Sequence, residues 1–299
     1  MDVTVPYSPM KMPSRPSLVI AAVLAAGFCS KAHASLFSDN FEMLVVAETP
    51  KDAAPLQGSV AYAAIDGGYI EAGDPIVGDT PPTADRVRQA LFDSLRDQGF
   101  VANRVAPSVL LTYYWGVLRV DHRELRLTYG IQNNLGARIR LVSTQDMGSE
   151  VENHILGRQS SNGANLDVSS PVILSGPLET IAQDARMPRI FVVVTAYDYP
   201  ALAQNRQVKL LWRAKMSAPE RSGEMDQVIP SLIAKGAPYF GKNFTEAHLV
   251  QAVLSSAGAT PEATALRPAP LQKVDSNLLQ ALLYRERVQY SGSGAESVN

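Results

Sequence analysis

Histidine is the side chain best suited to acid–base chemistry near neutral pH, and only His122, His154 and His248 follow the N-terminal segment. His122 lies between Asp121 and Glu124, but adjacent residues of a strand or turn point apart. No His-x-x-x-His or His-Glu-x-x-His pair occurs, so the helix of the usual zinc hydrolases is absent. The histidine spacing therefore predicts no metal site, and it favours a surface position for His122.

The serines and glycines lack the spacing of catalytic or phosphate-binding motifs. Ser170, Ser175 and Ser217 are not part of a Gly-x-Ser-x-Gly elbow. A phosphate-binding loop would require Ser or Thr after Lys242, and this sequence has Asn243 there. We therefore predict no catalytic residue and no cofactor. An exported hydrolase with a site assembled from distant residues, with His122 or His154 as the base, stays open as an alternative.

Two further patterns have both a functional and a structural interpretation. Tyr113, Tyr114 and Trp115 could stack on sugar rings, but consecutive strand residues alternate between faces, which favours core packing. The triplet from Asn243 to Thr245 matches a glycosylation sequon, which has a meaning only in a eukaryotic secretory route. Residues 11–34 have the pattern of a bacterial export signal, so we assign no role to the sequon.

The N-terminus has the order of features that an export signal requires. Lys11 and Arg15 precede an apolar run from Leu18 to Phe28, and the small-x-small site at Ala32 to Ala34 follows it. The run is too short to span a bilayer, which takes about 20 apolar residues. This pattern predicts a signal peptide over residues 1–34, cleavage after Ala34 and a periplasmic or secreted protein without a transmembrane segment.

Two details of this segment bear on how it is processed. The first nine residues have no targeting role, which favours a true translation start at Met10 or Met12. Cys29 is the only cysteine, and Phe28 is unsuitable before a lipid-modified cysteine. We therefore predict plain cleavage rather than lipidation at Cys29, which leaves a mature chain without thiols or disulfides.

Composition excludes several classes of protein. A hydrophobic content of 46% is typical of globular proteins. The full chain has a net charge of −2, and loss of Lys11, Arg15, Lys31 and Asp2 with residues 1–34 leaves about −4. Nucleic-acid binding depends on phosphate neutralisation, so this charge predicts no nucleic-acid partner.

Hydrophobic periodicity predicts a series of strands and helices. Residues 41–48, 58–65, 108–120, 189–197 and 207–216 are rich in β-branched, aromatic or alternating apolar residues, and the last two predict an antiparallel pair. Amphipathic spacing and caps predict helices over about 84–98, 149–158, 178–185, 226–237 and 275–288. Residues 73–82, 160–170 and 198–206 are expected to be loops, and residues 291–299 a disordered end.

This order predicts an α+β fold, since strands and helices do not alternate one to one. We expect a largely antiparallel sheet packed with amphipathic helices in two layers, forming a single domain with a helical and disordered C-terminal tail. The expected division is a signal peptide over 1–34, an α+β domain over 35–245 with an insertion at about 121–187, and a C-terminal extension over 246–299.

Four short stretches carry a resemblance to a known family: Leu91 to Phe100, Val109 to Tyr114, Lys209 to Arg213, and Val228 to Ile233. They resemble a family of bacterial envelope proteins, many of them lipoproteins, that is defined by a domain of unknown function. The chain departs from that family in lacking a usable lipid-attachment cysteine and in its insertion from Asp121 to Met187. The resemblance implies a location in the cell envelope and no particular activity.

These observations favour an exported, non-catalytic envelope protein of binding or structural role over an enzyme. The expected partner is an envelope protein or a cell-wall component.

Overall fold

A computed structural model of the protein describes residues 40–53, 58–120, 133–155, 174–254 and 274–291. The predicted signal peptide, Cys29, His122, Ser170 and residues 292–299 of the expected C-terminal end lie outside these ranges. The described residues belong to one compact unit.

Seven strands and seven α-helices occur in these described ranges. The strands are β1 (Asn40–Glu48), β2 (Val60–Ala72), β3 (Phe100–Ala102), β4 (Val109–Leu118), β5 (Arg189–Asp198), β6 (Leu210–Pro219) and β7 (His248–Val253). The helices are α1 (Ala84–Asp97), α2 (Asn133–Val142), α3 (Gln145–Ile155), α4 (Pro177–Arg186), α5 (Tyr199–Asn205), α6 (Met225–Gly236) and α7 (Ser276–Tyr290). Short 3₁₀ turns follow β6 and α6, at Glu220–Ser222 and Ala237–Tyr239.

All seven strands form a single sheet in the order β3-β2-β4-β5-β6-β1-β7. β2 pairs in parallel with β3 and β4, while β4-β5, β5-β6, β6-β1 and β1-β7 are antiparallel. The predicted single-domain α+β fold with a largely antiparallel sheet is confirmed. The predicted antiparallel pairing of β5 with β6 is also confirmed.

Helices cover both faces of this sheet, whereas the sequence predicted two layers. On β4, Tyr113 and Trp115 face the apolar cluster that includes α1 and α6. Tyr114 faces the opposite cluster, which includes α2, α3, α4 and Tyr290 of α7. Because β4 and β5 are buried on both faces, each needs helical cover on both sides, and the fold has three layers.

The predicted helices are found, with boundaries shifted by a few residues. Helix α1 begins where expected, because the side chain of Thr83 accepts the backbone N–H of Arg86 and caps the first turn. The second predicted helix begins at Gln145 rather than at about 149. Helix α6 begins at Met225 and contains Pro230 in its interior.

The structure corrects the prediction in three other places. β2 continues beyond residue 65 to Ala72, across an irregularity between Asp66 and Gly68. The expected loop at 198–206 contains α5, capped by Asp198, whose carboxylate accepts the N–H of Ala201 at 2.9 Å. Helix α2 was not predicted, since its apolar residues were assigned no element.

Residues of the expected C-terminal extension are integral to the domain. β7 adds six residues to the edge of the sheet beside β1, and α7 buries Leu282, Glu286 and Tyr290. The predicted boundary at residue 245 therefore does not separate these elements from the rest. Within the described ranges, no helix is both long enough and apolar enough to cross a membrane.

Candidate functional site

The histidines that the structure describes have no carboxylate or serine among their described contacts. His154 is exposed on α3, where its Nδ1 lies 2.9 Å from the backbone oxygen of Glu150, one turn earlier. His248 is exposed at the start of β7, and its ring lies 3.9 Å from that of Phe244 between centroids. These contacts are local packing, so neither histidine is oriented as a general base.

The candidate serine and asparagine residues have structural contacts. Ser217 is buried, and its hydroxyl accepts Arg189 Nε–H at 3.0 Å. Ser175 is exposed just before α4. Asn243 Oδ1 accepts the backbone N–H of Thr49 at 3.1 Å, which holds the loop before β7 against the end of β1.

The aromatic run of β4 is part of the core, as the sequence favoured. Tyr113, Tyr114 and Trp115 are almost completely buried. The rings of Tyr113 and Trp115 lie side by side, 5.9 Å between centroids, while Tyr114 points to the other face. A sugar could not reach these rings without displacing a helix.

The main polar site is a network between the sheet and α7, and sequence reasoning missed it. Glu286 of α7 is 2% exposed, and its carboxylate accepts Thr112 Oγ1–H at 2.6 Å. It also accepts the hydroxyl of Tyr197 and, at 3.0 Å, Arg213 Nη2–H. One carboxylate therefore joins α7 to strands β4, β5 and β6. Glu286 is four residues from both Leu282 and Tyr290, on the buried side of α7. This spacing was the sequence signal that could have indicated a buried glutamate.

The electrostatics of this network keep Arg213 charged and Tyr197 neutral. Burial alone would lower the pKa of Arg213, but Tyr290, Glu286 and Tyr197 around it raise that pKa overall. Burial and the negative charge of Glu286 raise the pKa of Tyr197. Arg213 stays cationic and Tyr197 stays protonated at neutral pH, so neither can act as a base there.

Lys215 occupies a second buried polar position on the same face of β6. Its Nζ donates to the backbone oxygens of Arg140 and Ser143, at 2.9 and 2.5 Å, and lies 3.2 Å from Glu48 Oε2. Burial lowers the pKa of Lys215 to about 8, although Glu48 opposes the shift. With three acceptors around it, the ammonium is fully used in capping the end of α2, and it has no free direction towards a substrate.

Two arginines form comparable contacts at the ends of strands. Arg119 follows β4 and is paired with Glu71, Asp79 and Glu220, the last at 2.6 Å. Arg189 opens β5 beside Asp184, and burial lowers its pKa to about 10. These ion pairs attach loops and helices to the sheet. Among the described residues, no group of three or more His, Cys, Asp and Glu side chains could hold a metal ion.

Exposed apolar side chains lie on both outer strands of the sheet. Leu249 and Val253 of β7 are 62% and 51% exposed. At the opposite edge, Val101 of β3 is 55% exposed, and Val105 follows it at 80%. Among the described strands, β7 pairs only with β1 and β3 only with β2. Each outer strand therefore has one side with no partner among the described strands.

A shallow depression lies beside the start of α7. It has a volume of about 400 Å³ and is lined by Leu202, Ala203, Arg206, Val274 and Asp275. An ion pair of 3.3 Å between Arg206 and Asp275 crosses it. No buried polar group of the described lining converges there, which distinguishes it from a typical catalytic cleft.

Comparison with known proteins gives no relative at the level of a family. No family model and no curated protein matches the chain. Two solved structures are similar to it at low levels. A PDZ domain protein from Parabacteroides distasonis is 10% identical with a TM-score of 0.37, over 78% of this chain and 42% of that chain. A dodecameric PelC variant from Paraburkholderia phytofirmans is 14% identical with a TM-score of 0.27, over 66% of this chain and 98% of that chain. The chain spans less than half the length of the PDZ domain protein.

Proposed function

We propose that this protein is an exported cell-envelope protein that acts by binding another polypeptide along an edge of its sheet, rather than by catalysis. The observation that carries the proposal is the contrast between the interior and the edges. The charged groups inside bond to neighbouring residues, while Leu249 and Val253 are exposed on the outer strand β7.

The interior supports a structural role for its charged residues. Glu286, Arg213 and Lys215 each bond to several neighbours and bridge separate elements. A catalytic group needs a free lone pair or proton directed at a substrate, together with a pKa suited to the transfer. Burial lowers the pKa of Lys215 to about 8, but its proton donors are already occupied.

The edge supports a binding role. A strand at the edge of a sheet offers a row of unpaired backbone N–H and C=O groups, and an added strand gains main-chain hydrogen bonds. Exposed apolar side chains beside that row, here Leu249 and Val253, would bury surface against the added strand.

The export part of the proposal rests on the pattern of residues 10–34. Intact mass and fractionation of the protein expressed in a Gram-negative host test it. We expect a periplasmic species that begins at Ser35. A lipid-modified species that begins at Cys29 would correct the mode of processing, and a full precursor retained in the cytoplasm would refute export.

The binding part is tested by cross-linking intact cells that express the wild type, Val253→Lys or Val101→Lys. Both substitutions place a lysine on an outer strand at a similarly exposed valine. We expect a cross-linked complex that persists in Val101→Lys and is lost in Val253→Lys. A complex that is equally abundant in all three proteins would place binding elsewhere.

A further inference from the structure

We infer that the strand received by β7 is β7 of a second copy of this chain, so that two sheets join into one continuous sheet. This inference rests on the proposed function, because it names the partner of the same edge.

Strand β7 lacks the features that protect an edge strand. Native edge strands are blunted by shortness, by charged residues or proline, or by bulges. β3 at the opposite edge is only three residues long. β7 has six residues, none of them proline, lysine, arginine or a carboxylate, and it pairs with β1 without a register shift.

Strand β7 is also complementary to itself. Antiparallel pairing about a two-fold axis that passes between the two copies of Gln251 places these two residues opposite each other. The same pairing places Leu249 opposite Val253 of the second copy. The apolar side chains then meet each other, and the two amides can hydrogen-bond. An axis between the two copies of Val250 would instead place Leu249 opposite Gln251 of the second copy. That register pairs an apolar side chain with a polar one, so the register centred on Gln251 is favoured.

This pairing keeps like faces of the two sheets together. Leu249, Gln251 and Val253 lie opposite Leu44, Glu42 and Asn40 of β1, on one face of the sheet. Val250 and Ala252 lie opposite Met43 and Phe41, which belong to the core on the other face. A two-fold axis that is perpendicular to the sheet maps each face onto the same face of the second copy. Both faces therefore continue across the junction.

Charge does not oppose the contact. The nearest described carboxylate on the exposed face is Glu42, which accepts Gln251 Nε2–H at 2.9 Å and lies one strand back from the edge. The two Glu42 side chains of a dimer would be separated by three strand spacings, about 14 Å, where solvent and salt screen their repulsion.

Cysteine cross-linking tests the register directly, using exported protein in a Cys29→Ser background. Gln251→Cys lies on the axis, so its two copies face each other within the Cα separation that a disulfide spans, about 4.4–6.8 Å. Two copies of Leu249→Cys would be offset by about 13 Å and could not bond. We expect a disulfide-linked dimer for Gln251→Cys and for the double variant Leu249→Cys/Val253→Cys, and none for Leu249→Cys alone.

Sedimentation of the unmodified protein over a dilution series measures the association itself. We expect a dimer that dissociates on dilution, because a single pair of six-residue strands is a small interface. Val253→Lys should weaken the association by about tenfold or more, since symmetry places the lysine in the contact twice. Val101→Lys, at a valine of similar exposure on the other edge, should leave the association unchanged.

If something other than a second β7 covers this edge, or if the contact lies at another edge, the experiments give a distinct result that overturns the inference. A monomer that binds a different protein, and loses it in Val253→Lys, would leave the proposed function intact but refute the second copy. A monomeric Gln251→Cys variant whose introduced thiol resists thiol reagents would mean that the edge is covered by its own chain. A dimer weakened by Val101→Lys rather than by Val253→Lys would place the contact at β3.

Discussion

Single buried charges connect the elements of this fold. Glu286, Arg213 and Lys215 lie on one face of the sheet, and each bonds to residues of other elements. Removing one partner of a buried ion pair leaves the other charge without compensation, which costs more than an exposed pair contributes. The consequences of changing these residues should therefore appear in stability rather than in surface binding.

We expect Lys215 to make stability rise with pH between about 8 and 10. Its pKa in the folded state is about 8, below the value of 10.5 for an unperturbed lysine. In this interval the unfolded chain binds more protons than the folded one, so the free energy of unfolding increases as pH rises, by up to about 3 kcal/mol over the full window. Denaturant unfolding at several pH values measures the slope.

Lys215→Met is the control, because methionine fills similar space without titrating. The variant should lose this part of the slope, whatever its absolute stability. An unchanged slope in Lys215→Met would show that another group titrates in this range.

Glu286→Gln should destabilise the protein by about 3 kcal/mol, because it removes the carboxylate that is paired with the buried Arg213. Glu246→Gln, at an exposed glutamate in the loop before β7, provides the matched control and should have almost no effect. Thermal unfolding followed by circular dichroism compares them. Equal melting temperatures would contradict the docking of α7 through Glu286.

At the scale of elements, close backbone approach between β2 and β4 decides which residues these strands can contain. Gly116 has a φ of 156°, and a β-carbon there would overlap the backbone oxygen of Ile70. The clash is with backbone, which cannot rotate away. The central strand therefore requires glycine at this position, even though glycine weakens a strand.

We expect Gly116→Ala to cost at least about 3 kcal/mol of stability, from the clash and from the unfavourable φ. Gly136→Ala in α2 is a useful comparison, because a β-carbon there meets only ordinary contacts at 3.5 Å. That change should stabilise the protein by about 0.5–1 kcal/mol, as alanine favours the helix. Chemical denaturation of both variants tests the two signs, and two destabilised variants would contradict the argument for α2.

At the scale of the whole molecule, the C-terminal part completes the domain. Helix α7 covers the end of the sheet that contains Tyr114, whose hydroxyl donates to the backbone oxygen of Leu283 at 2.8 Å. Arg140 of α2 also donates to the backbone oxygen of Gln289, at 3.2 Å. Without α7, buried polar and aromatic side chains on three strands would face solvent.

A chain that ends at residue 254 should therefore lose cooperative unfolding or aggregate, whereas a chain that ends at residue 291 should retain it. Calorimetry of the two truncated proteins beside the full chain measures the difference. If the shorter protein kept the melting temperature of the full chain, α7 would be dispensable for the stability of the domain.

Periodic patterns predicted the parts of the fold that depend on local sequence. The apolar stripe of α1 and the apolar run of β4 both lie in consecutive residues, where local periodicity reveals them. Helix α2 and strand β7 were missed for a different reason. Each is short, and each is stabilised by packing or pairing with residues that are distant in the chain. The local helix or strand propensity of a segment carries no information about such contacts.

By itself, the sequence determined the α+β class, the central strands, the main amphipathic helices and the absence of recognisable catalytic motifs, because each depends on residues close together in the chain. Only the tertiary structure decided that helices cover both faces, that Glu286 meets Arg213 and that β7 forms an exposed edge. These features join residues far apart along the chain, and burial and electrostatic partners exist only after the chain has brought them together.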